Sequence, residues 1–176
     1  SAHATHGATV VYAGAAPGVH LELLSRLFPT LLFELVDPNP FRVRASSSIR
    51  LHREFFSDDT ARRYRERGPR GGKLLFVCDV RTADWMRLTD AEVETHVWAD
   101  MCDQQRWHAL MGYPASQLKF RLPWAYRPHA AAVYLAGRVR LPVWGPVTTS
   151  EARLEVPAGQ AGRVCVWDAH GYYDAM

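Results

Sequence analysis

The feature that most constrains this chain is a short apolar strand run that breaks at a glycine turn and re-forms as a helix. Ala8-Thr9-Val10-Val11-Tyr12-Ala13 is β-branched and apolar, and Gly14 ends it. From Gly18 to Phe28, Leu21, Leu24, Leu27 and Phe28 recur at helical spacing until Pro29 stops them. A strand that reads as a continuous apolar run is one buried on both faces, and such strands belong to sheets covered by crossover helices. The same alternation continues. Thr30 to Val36 is a second strand run closed by Asp37-Pro38-Asn39-Pro40, and Ile49 to Phe56 is a third. Ser57-Asp58-Asp59 then has the form of an N-cap for a helix through Arg67. Lys73 to Asp79 is the clearest strand, and Thr89-xx-Glu92 opens the longest helix, to Leu110, with a capping box.

After Pro114 the helical period disappears. Segments 115–122, 131–136, 138–144, 150–156 and 163–168 read as strands punctuated by Pro and Gly. The expected architecture is therefore α/β: a βαβαβα unit over the first 110 residues and a strand-rich C-terminal part. A length of 176 residues and a 48% hydrophobic content suit one domain, taken as 8–176, with residues 1–7 outside it. The polar, His-rich stretch Ser1 to Thr9 has no apolar segment of a signal peptide, and no apolar run is long enough to span a membrane. Three widely spaced cysteines, Cys78, Cys102 and Cys165, fit a reducing compartment better than a disulfide framework. No metal-ligand spacing appears among the His and Cys residues, so no metal is expected.

Ligands of open α/β sheets bind beyond the carboxyl ends of the strands. Three features fall there. Gly14-Ala15-Ala16-Pro17-Gly18 links the first strand to its helix, where glycines permit a tight turn and a close backbone approach. Asp37 ends the second strand about twenty residues on, where a carboxylate can hold ribose hydroxyls, or equally form the turn. Asp79 ends the most apolar strand and is followed by Val80-Arg81. Together they describe a nucleoside-type cofactor site. The cations add a further mark: 19 are arginines, and only Lys73 and Lys119 are lysines. Lysine can give up its proton at usable pH and arginine cannot, so Lys119, in Gln117-Leu118-Lys119-Phe120-Arg121-Leu122, stands out beside Asp79 and Glu151 as a proton-handling set. A solvated strand face is the ordinary alternative for Lys119.

These stretches resemble the poxvirus-type cap-specific mRNA (nucleoside-2′-O-)methyltransferase, the poly(A) polymerase small subunit family, over roughly positions 8 to 173. The matching stretches are Val10 to His20, Asp79-Val80-Arg81, Leu118-Lys119-Phe120-Arg121-Leu122-Pro123-Trp124, Ser150-Glu151-Ala152-Arg153-Leu154 and, at the end, Trp167-Asp168 with Tyr172-Tyr173. The resemblance implies a Rossmann-like S-adenosylmethionine-dependent methyltransferase sheet with helices on both faces. It also implies methyl transfer to the ribose 2′-OH of the first transcribed nucleotide of 7-methylguanosine-capped mRNA. S-adenosyl-L-methionine would contact Tyr12, Gly14, Pro17, Gly18, His20, Asp37, Asp79, Val80 and Arg81. Asp79, Lys119 and Glu151 match the last three members of a Lys-Asp-Lys-Glu catalytic set, with Lys119 as general base. Trp124 would stack on the cap base and Asp168 would accept its hydrogen bonds, a pairing of cation–π attraction with charge-assisted bonds.

The first lysine of that set has no counterpart here, because no lysine precedes Lys73. Two other readings therefore stay open: a non-catalytic cap- or RNA-binding or polymerase-processivity subunit, and a methyltransferase for another acceptor. For the former, Arg42, Arg44, Arg50, Arg53, Arg62, Arg63, Arg65, Arg67 and Arg70 form a basic stretch that either binds RNA or is an ordinary solvated face. The expected partners are capped mRNA and a poly(A) polymerase catalytic subunit or other capping enzymes, with no membrane. The expected location is cytoplasmic for a viral enzyme and nuclear for a eukaryotic capping enzyme. Trp85, Trp98, Trp107, Trp144 and Trp167 are expected in cores or interfaces.

Overall fold

The computed structural model describes residues 7–68, 72–122, 131–141 and 152–174. Its elements run β1 (Thr9–Ala13), α1 (Leu21–Leu27), β2 (Leu32–Val36), β3 (Ile49–His52), α2 (Asp58–Arg67), β4 (Leu74–Cys78) and α3 (Asp90–Leu110). The C-terminal part adds β5 (Ala115–Phe120), β6 (Ala131–Leu135), β7 (Arg138–Arg140), β8 (Ala152–Val156), β9 (Val164–Asp168) and α4 (Ala169–Asp174). Seven strands form one sheet in the order β3-β2-β1-β4-β5-β8-β7. The first five are mutually parallel, β8 runs antiparallel to β5, and β7 reverses again beside β8. This is the expected open α/β, Rossmann-like sheet, mostly parallel and flanked by helices.

Strand alternation sends the sheet's side chains into two cores. Val11, Ala13, Phe76, Cys78, Leu118, Phe120 and Leu154 face α2 and α3 and pack with Ala61, Tyr64, Met101 and Trp107. Val10, Phe33, Leu35 and Ile49 face α1 through Leu21, with Val43 supplied by the loop after β2. Phe76 is fully buried, its ring centroid 5.4 Å from that of Phe56. Burying one such side chain stabilises the fold by about 1.5–3 kcal/mol.

The helix starts are set locally. Ser57 Oγ accepts from the Thr60 amide at 3.2 Å, and the Thr89 box closes in both directions, with Thr89 N donating to Glu92 Oε2 at 2.8 Å. As the element-by-element reading has it, the connection between the parallel strands β2 and β3 (residues 37–48) carries no helix. Two features depart from the sequence expectation. The C-terminal strands divide: β6 and β9 leave the main sheet and pair antiparallel as a separate ribbon. Tyr134 of the ribbon anchors it to α3 by donating its hydroxyl to Met101 O at 2.9 Å. Finally, α4 follows β9 directly. No helix among the described residues is long and apolar enough to cross a membrane.

Candidate functional site

The sheet order places β1 between β2 and β4, so the chain leaves β1 in one direction and returns to its other side. That is the switch point beyond which open sheets form a crevice. The turn after β1 is built tightly into it. Gly14 N donates to Val36 O at 2.9 Å and Asp79 N donates to Ala13 O at 2.9 Å, which extends pairing on both sides of β1. Gly14 sits at φ +75°, and a Cβ there would lie 2.9 Å from both Asp79 C and Val80 N. The glycine is required by the neighbouring strand's own backbone. Gly18 is similar: at φ +73° its Cβ would meet Val43 Cγ1 at 2.9 Å. The Ala16–Pro17 peptide between them is cis.

Asp37 is buried under this turn. Its Oδ2 accepts from Ala16 N at 3.0 Å, and its Oδ1 accepts from Asn39 N at 2.8 Å and from Asn39 Nδ2 at 3.0 Å. The carboxylate therefore holds the glycine turn in shape. Tyr12 and His20 flank the turn with ring centroids 6.1 Å apart, and Pro17 and His20 are exposed. Burial, and then the nearby Asp79 carboxylate, push the Tyr12 phenol up to about 12, so it presents a neutral hydroxyl.

Directly beyond β4, the structure joins two of the expected proton-handling residues. Lys119 Nζ lies 3.1 Å from Asp79 Oδ1, with both side chains partly shielded from solvent. The same carboxylate oxygen accepts from Arg153 Nη2 at 2.8 Å. The β5–β8 register explains this, since Lys119 and Arg153 are directly opposed across the antiparallel pair. Arg153, which joins this candidate site, is not singled out by the sequence. Its one sequence signal is its place two residues after Glu151, a spacing that the alternation of the expected strand 150–156 assigns to one face. The segment after Asp79 is pinned as well: Arg81 Nη1 donates to Val80 O at 3.2 Å, and Thr82 donates through N and Oγ1 to the buried Asp100 of α3 at 2.9 and 2.8 Å. Cys78, fully buried just before Asp79, has its thiol pushed up to about 12 by that burial, so it is an inert core group.

Of the remaining expected site residues, Glu151 and Trp124 lie outside the described residues, as does Trp144. Asp168 ends β9, where its Oδ1 accepts from His170 N at 3.0 Å and its Oδ2 from Gly171 N at 3.2 Å. Trp98, Trp107 and Trp167 pack in or against the core as expected. Trp85 does not: it is 77% exposed on the loop after β4, beside the equally exposed Met86. The reason is local, since Asp84 organises a turn that accepts from Met86 N and Arg87 N and projects the tip into solvent. In the basic stretch, several arginines are already engaged within the protein, Arg50 by Glu34, Arg62 by Asp59 and Arg63 by Glu54. Arg70 lies outside the described residues.

No protein-family profile matches the sequence, and no curated protein matches it. Among solved structures, the chain is similar to the sugar N-methyltransferase KedS8 from a Streptoalloteichus species, with 13% identity and a TM-score of 0.32, covering 97% of this chain and 70% of that one.

Proposed function

We propose that this chain is an S-adenosylmethionine-dependent methyltransferase whose acceptor is the ribose 2′-hydroxyl of the first transcribed nucleotide of 7-methylguanosine-capped mRNA. The observation that carries the reading is the Asp79–Lys119 pair, 3.1 Å apart at the switch-point crevice and one strand from the glycine turn. The residues present fit the cofactor. Gly14 brings the turn within van der Waals contact of the Asp79–Val80 backbone, so the two segments expected to hold it form one continuous wall. Tyr12, Gly14, Pro17, Gly18 and His20 would line one side of the cofactor, and Asp79, Val80 and Arg81 the other. Asp37 acts on it from beneath by shaping the turn.

Bound there, S-adenosylmethionine supplies an electrophilic methyl group on a sulfonium. A ribose hydroxyl is a poor nucleophile at neutral pH, and the chain's contribution is to place it and take its proton. Lys119 Nζ accepts that proton as the oxygen attacks, while Asp79 orients the Nζ and Arg153 holds Asp79. Two sources of the rate are thus orientation and proton transfer at one defined atom.

The test is calorimetric titration of the protein with S-adenosylhomocysteine and, separately, with a 7-methylguanosine cap analogue, followed by methyl transfer to capped RNA. Binding of both ligands with transfer to the 2′-hydroxyl is the expected result. Binding of both without turnover would favour the non-catalytic RNA-binding reading. Cofactor binding with transfer to an uncapped or small acceptor would overturn the cap assignment, and binding of neither would overturn the whole reading.

A further inference from the structure

Among the described residues, the two faces of the sheet are covered unequally beyond β4. On the α2–α3 side, Leu118, Leu154 and Val139 line up across β5, β8 and β7 and enter the core. Alternation turns their neighbours to the opposite side. There the register sets Lys119 opposite Arg153 and Arg153 opposite Arg140, with Gln117, Glu155 and Arg138 as the next row. Among the described residues, the core on this second side draws its sheet residues from β1 to β4 and takes none from β5, β8 or β7. Arg138 and Arg140 are exposed on the edge strand. Glu155 accepts from Arg140 Nε at 2.9 Å, so beside Lys119 the two rows hold three arginines against two carboxylates, counting Asp79.

We propose that this face of β5, β8 and β7 is a track for the phosphates of the RNA strand, running outward from the acceptor ribose at Asp79 and Lys119. The proposal rests on the reading of the acceptor as RNA. Adjacent strands are about 4.8 Å apart, so Lys119 and Arg140 are separated by about 10 Å across the sheet. Successive phosphates of one stacked nucleic acid strand advance by about 3.4 Å, so the row is long enough to meet more than one of them. Arginine forks suit this task because each can hold two phosphate oxygens at once. The charge is sequence-independent, which fits an enzyme that must accept whatever transcript follows the cap.

The test measures binding of an uncapped single-stranded oligoribonucleotide by fluorescence anisotropy over a salt series. It compares the natural chain with R138A/R140A, R138K/R140K and the two single alanine variants. Each lost phosphate contact makes the slope of log affinity against log salt shallower by about 0.7 on single strands, so R138A/R140A is expected to lose about 1.4. The lysine pair should keep the slope, and each single alanine variant should lose about half of the change. S-adenosylhomocysteine affinity should be the same throughout. An unchanged slope in the alanine variants would overturn the track. So would aggregation of R138A/R140A with unchanged slopes in the single variants, which would assign these arginines to guarding a sheet edge. Failure of the natural chain to bind RNA while it still binds S-adenosylhomocysteine would remove the RNA reading and the track with it. RNA binding by the natural chain with no slope change in the variants removes only the track.

Discussion

Gly14→Ala tests whether the glycine turn and the Asp79 segment are one mechanical unit. Two costs add at this position. An L side chain at φ +75° pays about 1–2 kcal/mol for the left-handed region. The new Cβ also lies 2.9 Å from Asp79 C and Val80 N, backbone atoms held in place by the Asp79 N to Ala13 O hydrogen bond. Overpacking of that kind costs about 1–3 kcal/mol more. Gly159 is the internal control: it has the same φ of +75°, and nothing lies within 4 Å of the Cβ that alanine would add there. Gly159→Ala therefore pays the conformational cost alone, and the loss of unfolded-state freedom on replacing glycine cancels between the two variants. Gly14→Ala should be less stable than Gly159→Ala by about 2 kcal/mol, or roughly 4–8 °C in Tm for a chain of this size. The assay is urea and thermal unfolding of both variants, followed by titration with S-adenosylhomocysteine. Gly14→Ala should lose cofactor affinity, because relief of the clash moves the Asp79–Val80 wall, while Gly159→Ala should retain it. If the two variants unfold at the same temperature, the argument from close approach is wrong.

Lys119→Arg keeps a nitrogen donor beside Asp79 and removes the base; methyl transfer should fall by about 10²–10⁴-fold with cofactor affinity retained, and near-normal turnover would exclude the proton-accepting role. Arg153→Met should lower kcat while costing less than about 1 kcal/mol of stability, since the Arg153–Asp79 pair is partly exposed, and Arg153→Lys should recover part of the rate. A loss confined to stability would make Arg153 a purely structural partner. His108 supplies a pH prediction. It is fully buried, and because Ser116 Oγ donates to Pro114 O, the His108 Nδ1 donates to Ser116 Oγ at 2.8 Å. Burial lowers the imidazole from 6.5 to about 4, so between those values the unfolded chain binds a proton that the folded chain does not. Stability is full above about pH 6.5 and is lost as pH falls toward 4, by about 3 kcal/mol in all. Urea unfolding between about pH 6.5 and pH 5, above the range of most carboxylates, should show this slope in the natural chain and a flatter one in His108→Gln; equal slopes would refute it.

The parts of this protein legible in the sequence are those whose causes lie within a few residues. The Ser57 cap, the Thr89–Glu92 box and the Leu74–Cys78 strand all follow from local hydrogen bonding or from unbroken apolar character, and the structure shows each at its expected place. The Asp79–Lys119 meeting was legible in kind, as residues at strand ends that an open sheet gathers. What the spacing did not carry was the pairing of distant strands. Arg153 reaches Asp79 across 74 positions of sequence because β8 runs antiparallel to β5, and nothing local to either residue specifies that register. The departure of β6 and β9 into their own ribbon is of the same kind, because the alternation that makes a strand is blind to which partner it finds. Gly14 shows the boundary within one residue. The sequence alone determined that a turn stands there, since glycine ends an apolar strand before a helical run. Only the tertiary structure decided why no other residue fits, because the atoms that exclude a Cβ belong to the backbone of β4's end, brought alongside by the sheet.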